Sequence, residues 1–174
     1  MRILVFVFLI INFHCVSAQS GKWALGVSGI YDFQTNGYGD GVRVWFPVNK
    51  KLSFSPQVHY FYPFNQIHEL YAGLALQYNL FSIRKFVFYP HAAGYYNRWF
   101  NYDKFSGPKA KPNNVAEEVG FGVMKKQGCV RPFAEQRYDF KWKEFIIHAG
   151  VLIFFGDCIG GGRKHELCPA YSHY

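Results

Sequence analysis

The chain has 174 residues, of which 21% are aromatic and only 17% are charged, and its formal net charge is +8. An ordinary soluble domain has roughly 25% charged residues, so the composition indicates one domain with little water-facing surface for its length. The Lys and Arg residues are scattered at turns and ends, which argues against nucleic acid as a partner and favours anionic lipid or sugar surfaces.

The first residues have the pattern of a secretory signal peptide. Arg2 is followed by an apolar run from Ile3 to Phe13, and Val16-Ser17-Ala18 is a small-residue cleavage pattern. The apolar run is shorter than the about 20 residues that a membrane-spanning helix needs. We therefore predict that residues 1–18 are cleaved and that the exported chain, with 18 basic and 11 acidic residues, carries a charge of +7.

The rest of the chain alternates with period two and shows almost no helical pattern. In the first predicted strand, the bulky residues Trp23, Leu25 and Val27 alternate with the small residues Ala24 and Gly26. Seven further alternating segments follow, near residues 41–46, 52–62, 69–80, 86–96, 118–123, 130–140 and 145–155. One set of alternate positions is bulky and apolar in most segments, and the other set is small or polar.

The connections between these segments alternate in length. Longer connections follow the first, third and fifth segments, at Gln34–Asp40, Pro63–His68 and Trp99–Glu117. Shorter turns follow the second, fourth and sixth, near Asn49-Lys50, Ser82-Ile83 and Gln127-Gly128. Pro56, Pro90 and Pro132 fall within predicted strands and, because proline cannot donate to a strand ladder, predict local bulges or displaced boundaries.

Eight strands of this length match the strands that cross a bilayer. Backbone groups in hydrocarbon must all be paired internally, so such strands can cross only as a closed barrel. We predict an all-β fold, an eight-stranded antiparallel up-and-down transmembrane β-barrel over residues 19–156, followed by a periplasmic tail over residues 157–174. Aromatic residues near strand ends, such as Tyr31, Tyr60 and Trp99, suit the membrane–water boundary.

The signal peptide, the eight alternating segments, the unequal loops and the aromatic last strand, written VLIFFG, resemble the small outer-membrane β-barrels common in Bacteroidota. The resemblance implies a monomer in the bacterial outer membrane, in contact with lipid, with long loops outside. It implies a structural, adhesive or membrane-stabilising role, although a few such barrels are lipid-modifying enzymes. The loop at residues 99–117 is then the candidate contact for an extracellular ligand.

The inward-facing positions collect charged and polar side chains. Buried charges persist when they are paired and hydrogen-bonded, and eight strands enclose little more than their own side chains. We therefore predict a polar network that fills the barrel, and neither a cofactor nor a metal. Its predicted members are Arg43, His59, Glu69, Gln77, His91, Glu118, Glu135, Arg137, Asp139 and His148.

No catalytic residue is predicted. A lipid-deacylating barrel would need His and Ser two positions apart on one strand, and His59, His91 and His148 all lack that partner. Two alternatives stay open: a lipid-modifying enzyme whose groups come from distant strands, and a secreted lipocalin-like barrel that binds a small apolar ligand inside. Swapping the two faces of every strand would convert the first architecture into the second, and alternation by itself does not decide between them.

Three cysteines remain after cleavage, in an oxidising compartment. Cys158 and Cys168 are close enough in sequence to form a disulfide, and Cys129 could pair instead with either of them. A zinc site from Cys158, His165, Cys168 and His173 is conceivable. Its spacing matches no known ligand pattern, so no metal is predicted.

Overall fold

The computed structural model describes residues 23–64, 67–101 and 111–155, most of which lie in β-strands. No helix in these ranges is long and apolar enough to cross a membrane. The strands are β1 (Ala24–Asp32), β2 (Gly37–Pro47), β3 (Leu52–Phe64), β4 (Ile67–Tyr78), β5 (Phe81–Ile83), β6 (Phe86–Phe100), β7 (Asn113–Lys125), β8 (Val130–Asp139) and β9 (Glu144–Phe154).

The strands form one closed antiparallel barrel. Each long strand pairs with the long strands before and after it in the chain. β4 pairs directly with β6, although the short β5 lies between them in sequence, and β1 pairs with β9 to close the cylinder. Val27, for example, lies opposite Val42 on one side and Val151 on the other. The predicted eight-stranded antiparallel barrel is therefore confirmed.

The two rims differ in their connections. We call the rim at which β1, β3, β6 and β8 end the loop end, because the longest connection, between β6 and β7, begins there. The rim formed by residues 48–51, 79–85 and 126–129 is the turn end.

Burial alternates along every long strand, as the period-two pattern requires. Bulky apolar side chains point outward and remain exposed, among them Val27 (52%), Leu74 (59%) and Phe121 (69%). Charged side chains point inward and are covered, among them Arg43 (2%) and Arg137 (1%). The exterior is thus apolar and the interior polar, the reverse of a water-soluble domain.

The first loop is shorter than the predicted Gln34–Asp40, because β2 already begins at Gly37. The glycines that suggest a turn belong to the strand: a Cβ on Gly39 would lie 2.7 Å from the Tyr60 carbonyl oxygen. This glycine therefore permits close strand packing and does not mark a turn.

A short ninth strand replaces the turn predicted at Ser82-Ile83. Phe81–Ile83 forms β5 and pairs with Phe86–Phe88 of β6. Arg84, at the turn between them, has a positive φ of 52°. A two-residue turn with φ above zero matches the twist of a hairpin, so the chain projects a small hairpin from the turn end.

The prolines do not cause bulges, and this prediction was wrong. Each lies where one of its two ladders lacks a pair: the β4–β6 ladder stops beside Pro90, and the β7–β8 ladder stops beside Pro132. The β2–β3 register runs unchanged past Pro56, where the Ser55 hydroxyl donates to the Val44 carbonyl (3.0 Å). A proline needs no bulge where no neighbour requires its missing N–H.

Gly150 has no room for a side chain. A Cβ there would lie 2.1 Å from the Val27 carbonyl oxygen and 2.8 Å from the Ser28 Cα, both backbone atoms. We expect Gly150→Ala to lower the free energy of unfolding by about 1–3 kcal/mol through overpacking, measured by denaturant titration in lipid vesicles. Gly29→Ala is the matched control, because Gly29 lies opposite the neighbouring Ala149 and a Cβ there meets nothing within 4 Å. Equal losses in the two variants would contradict the steric explanation.

Candidate functional site: the barrel interior

The interior contains three layers. At the turn end, an apolar cluster fills the lumen, and in it the Trp45 and Phe154 rings lie 5.1 Å apart between centroids. A charged layer occupies the middle, and an acidic layer lies at the loop end. The cluster consists of Ala24, Trp45, Tyr89, Met124, Phe133, Leu152 and Phe154.

Glu135 is the centre of the charged layer. Its carboxylate accepts two hydrogen bonds from the Arg43 guanidinium, Nη1 to Oε1 at 2.7 Å and Nη2 to Oε2 at 3.0 Å. The Tyr89 hydroxyl (2.9 Å) and the Gln77 amide (3.3 Å) also donate to Oε1. Arg137 donates to Oε2. Hydrogen bonds from this many donors, two of which are guanidinium groups, stabilise the charged form of a buried carboxylate.

Arg137 is the second centre and connects strands across the barrel. Its Nη1 donates to the Tyr95 hydroxyl (2.6 Å) and to Glu118 Oε2 (3.0 Å). Its Nη2 donates to Gln57 Oε1 (3.3 Å). The layer therefore contains two arginines and two glutamates, Arg43, Arg137, Glu118 and Glu135, with balanced charges.

Three of the predicted residues are histidines, and they differ in their contacts. His59 Nε2 is hydrogen-bonded to Gln57 Oε1 at 3.2 Å. His148, which is fully buried, packs edge-on against His59 with ring centroids 4.7 Å apart. Neither ring nitrogen of His148 or His91 has a hydrogen-bond partner among the described residues. These two rings fill space beside the charged layer and are not joined to it by hydrogen bonds.

Glu69 and Asp139 face inward but lie in the acidic layer at the loop end, apart from Glu135. Glu69 accepts hydrogen bonds from Asn97 Nδ2 (3.0 Å) and the Tyr71 hydroxyl (3.1 Å). Asp139 Oδ1 accepts the backbone N–H of Lys141 (2.7 Å) and of Trp142 (3.1 Å), so it organises the turn between β8 and β9. Its part in the structure is therefore mainly that of a turn residue.

The position of Trp99 near a strand end had suggested the membrane boundary. In the structure its side chain points into the barrel at the loop end. It stacks on Trp142 with centroids 5.1 Å apart. Together with Asp32, Glu69 and Glu144 it lines a cavity of about 200 Å³ at the loop end. The odd-numbered residues of β6 face inward as far as this rim, so the Trp99 side chain points into the barrel.

Glu144 lies in this loop-end layer, outside the part of the barrel suited to a bilayer. Burial raises the pKa of the Glu144 carboxyl to about 8, helped by the negative charges of Asp32, Glu69 and Asp139. The folded state therefore binds a proton that the unfolded state releases near pH 4–5. The contribution of Glu144 to the free energy of unfolding therefore falls as the pH rises from about 4.5 to about 8, and it changes little at higher pH.

We expect Glu144→Gln to remove this component of the pH dependence. The variant should unfold at a higher temperature than the parent at pH 9 and at nearly the same temperature at pH 4, because glutamine resembles the protonated acid. Thermal unfolding followed by circular dichroism at the two pH values is the measurement. Glu117→Gln, an exposed position at the same end, is the control. A Glu144→Gln variant that follows the parent at both pH values would contradict the expectation.

Two observations on the described part of the chain concern catalysis and metal binding. No hydrogen bond there joins a histidine to a serine, and His59 and His148 lie deep in the packed lumen. No group of three or more His, Cys, Asp or Glu side chains among the described residues could hold a metal ion. What the geometry does is join six strands, β2, β3, β4, β6, β7 and β8, through charge-assisted hydrogen bonds.

Several members of the network were not among the predicted residues. Gln57, Trp45, Tyr89, Tyr95 and Asn97 all take part. All lie at inward positions, so the strand register could have identified them. The predicted network contained charged, His and Gln side chains and omitted Trp45, Tyr89 and Tyr95, although a buried Tyr or Trp generally donates a hydrogen bond.

Cys158, Cys168 and the predicted tail at residues 157–174 lie outside the described residues, so most of the cysteine predictions stay predictions. Cys129, in the turn before β8, is disulfide-bonded. This agrees with an oxidising compartment.

The barrel is similar to solved structures of small outer-membrane barrels. Neisserial surface protein A has a TM-score of 0.59 at 13% identity, over 79% of this chain and 98% of that one. The N-terminal β-barrel domain of Pseudomonas aeruginosa OprF has a TM-score of 0.57 at 11% identity, over 76% and 98%. A de novo designed transmembrane β-barrel has a TM-score of 0.51 at 10% identity, over 75% and 92%.

Neither a family model nor a curated protein matches the sequence. The low identities mean that the similarity establishes the fold alone. The chain has the fold of the small eight-stranded outer-membrane barrels.

Proposed function

We propose that this chain is an integral protein of a bacterial outer membrane, with a structural, membrane-stabilising or surface-contact role and no catalytic activity. The observation that carries the proposal is the outer surface. Leu25, Val27, Leu74 and Phe121, on three different strands, each expose two fifths or more of an apolar side chain. An exposed apolar surface that continues around the whole barrel suits hydrocarbon and not water.

The orientation of the side chains also bears on the soluble alternative. A lipocalin-like barrel would point its bulky apolar side chains inward, around a ligand, and its charged side chains outward. Here Arg43, Glu118, Glu135 and Arg137 are all inside and nearly inaccessible. The lumen between them is filled by their mutual hydrogen bonds, which leaves no apolar chamber for a ligand.

Membrane extraction tests this proposal. We expect the full chain, expressed in a Gram-negative host, to fractionate with outer membranes and to resist a carbonate or high-salt wash. It should require detergent for solubility. Release of a monodisperse protein by the wash would contradict the proposal and support the secreted alternative. N-terminal sequencing of the purified protein tests in addition whether residues 1–18 are removed.

The proposed role of the interior network is structural. The paired charges of Arg43, Arg137, Glu118 and Glu135 occupy the middle of the lumen, and the apolar cluster lies at its turn end, so we propose that the barrel does not conduct ions. Planar-bilayer recordings of the purified protein should give no sustained conductance above the bilayer baseline. A regular single-channel conductance would contradict this.

The absence of an assembled His–Ser pair in the described residues supports a non-catalytic role. Incubation of the purified protein with radiolabelled lipopolysaccharide and phospholipid should leave both unchanged. Release of labelled fatty acid would favour the lipid-modifying alternative.

The loop at residues 99–117 is the proposed contact for an extracellular ligand. The structure shortens the predicted loop, because β6 ends at Phe100 and β7 begins at Asn113, and the connection between them is still the longest between strands of the barrel. A pull-down with the full chain, compared with a variant in which a short Gly-Ser linker replaces residues 102–110, tests this. A partner retained by both proteins would place the contact elsewhere. The remaining proposals, a monomeric state and kinship with Bacteroidota-type barrels, rest on the resemblance of the sequence.

A further inference from the structure

Positive charge is concentrated at the turn end. Within residues 47–51, 79–88 and 123–131, all of which the structure describes, there are seven cationic side chains and no Asp or Glu. The loop end, in contrast, carries carboxylates from β1, β4, β8 and β9, among them Asp32, Glu69 and Glu144. The seven are Lys50, Lys51, Arg84, Lys85, Lys125, Lys126 and Arg131.

Backbone hydrogen bonds hold the three turns side by side. The Asn79 N–H donates to the Lys51 carbonyl (2.7 Å), and the Lys126 N–H donates to the Lys85 carbonyl (2.7 Å). The cations of different turns therefore lie on one continuous rim, and their charges add. Side chains gathered in this way produce a local positive potential that favours anionic groups.

A cleft opens in this rim. It has a volume of about 370 Å³ and is lined by four of the cations, Lys50, Lys51, Lys126 and Arg131. Its other walls are largely apolar and include Trp45, Leu80, Phe81, Val87 and Met124. Cationic groups beside apolar walls suit a ligand with a negative head and an apolar body.

The β5–β6 hairpin places apolar side chains beside the same cations. Leu80 (55%), Phe81 (50%), Ile83 (55%) and Phe86 (48%) are each about half exposed. The turn of the hairpin carries Arg84 and Lys85. Apolar side chains flanked by Lys and Arg are typical of segments that lie at a membrane interface. A polymer dissolved in the aqueous compartment would gain nothing from this exposed apolar surface.

We propose that the turn end binds the headgroups of anionic phospholipid in the leaflet that surrounds it. The phosphate contacts the lysines and arginine of the cleft, and the first carbons of the acyl chains lie against Phe81 and Leu80. The inference rests on the proposed membrane location and deepens it, because the described turn-end segments carry cations without carboxylates whereas the loop end carries both, which directs the lipid preference to one leaflet. Each Lys or Arg near an anionic surface strengthens such binding.

Lipid titration of the full chain tests the inference. The purified protein in a neutral detergent is titrated with short-chain phosphatidylglycerol or with phosphatidylcholine of the same chain length, and bound lipid is counted by native mass spectrometry. We expect phosphatidylglycerol to bind at least about tenfold more tightly in low salt. The preference should shrink at high ionic strength, because salt screens exposed charges.

Two matched variants locate the site. Lys50→Gln, Lys51→Gln, Lys126→Gln and Arg131→Gln combined should weaken phosphatidylglycerol binding at least about tenfold, since four cations are lost. Arg98→Gln, Lys111→Gln, Lys141→Gln and Lys143→Gln combined remove four cations from the loop end. That control should stay within about twofold of the parent, because its cations lie on the other rim.

Equal affinity for the two lipids, or equal losses in the two variants, would overturn the inference. If the turn-end variant does not fold, the lipid preference of the parent and its salt dependence still decide. Binding of the parent to purified peptidoglycan without a phospholipid preference would also overturn it and assign the rim to the cell wall. Release of the protein by the carbonate wash would contradict the membrane proposal. A barrel that stays in the membrane but shows no lipid preference would contradict this inference alone.

Discussion

Replacement of Glu135 by alanine is expected to lower the free energy of unfolding by about 3–5 kcal/mol. The carboxylate is fully buried and pairs with two arginines, Arg43 and Arg137. Its removal leaves two cations in a closed lumen with Glu118 as their only acidic partner in the charged layer. Unfolding by guanidinium in lipid vesicles, followed by tryptophan fluorescence and by mobility on cold electrophoresis, measures the change.

Two controls separate charge from packing in this experiment. Gln136→Ala removes an exposed, outward-facing side chain at the next position of the same strand, and we expect a change within about 0.5 kcal/mol. The double variant Arg43→Met, Glu135→Gln removes one charge of each sign and should lose less stability than Glu135→Ala. A Glu135→Ala protein as stable as the parent would contradict the assignment of this network as the brace of the barrel.

Replacement of Leu74 by arginine is expected to cost about 2–4 kcal/mol in a bilayer. Leu74 lies near the middle of β4, between Pro56 and Gly94, and its side chain is 59% exposed. In the proposed membrane location, the exposed part faces hydrocarbon, where a guanidinium loses its hydration. The free energy of unfolding in vesicles, compared with the parent, is the measurement.

Val115→Arg is the matched control for depth. Val115 is also outward-facing, at 65% exposure, but lies close to the loop end of β7. We expect a cost of about 0–1 kcal/mol there, because a long cationic side chain near the interface reaches water. Equal tolerance of arginine at both positions would contradict a bilayer around the barrel.

The strands and their faces were accessible from the sequence. Side chains alternate across a strand with period two, so one pattern predicted the extent of β1 and placed Arg43, His59 and His148 each on the small or polar face of its strand. The boundaries were less accurate. Gly37 and Gly39 resemble turn residues, although both are strand positions in the barrel, and at Gly39 the neighbouring backbone approaches closely. Pro56 similarly suggested a bulge that the Ser55 hydroxyl makes unnecessary.

The contacts of the interior were not accessible in the same way. Arg43 and Glu135 are 92 residues apart in sequence, and Arg137 and Tyr95 are 42 apart. These pairs depend on the stagger that accumulates strand by strand around a closed barrel. A local pattern contains no information about that stagger, so the list of inward residues could be written down but not the partners of each.

The sequence by itself determined that this chain forms eight amphipathic strands, because period-two alternation admits no other regular structure. It left open which face points outward, since exchanging the two faces satisfies the same pattern. Only the tertiary structure decided that question: the closed ladder places Arg43, Glu135 and Arg137 inside, where they pair, and leaves Val27, Leu74 and Phe121 exposed outside. It also brought cations from three separate turns onto one rim, through backbone hydrogen bonds that no local stretch of sequence encodes.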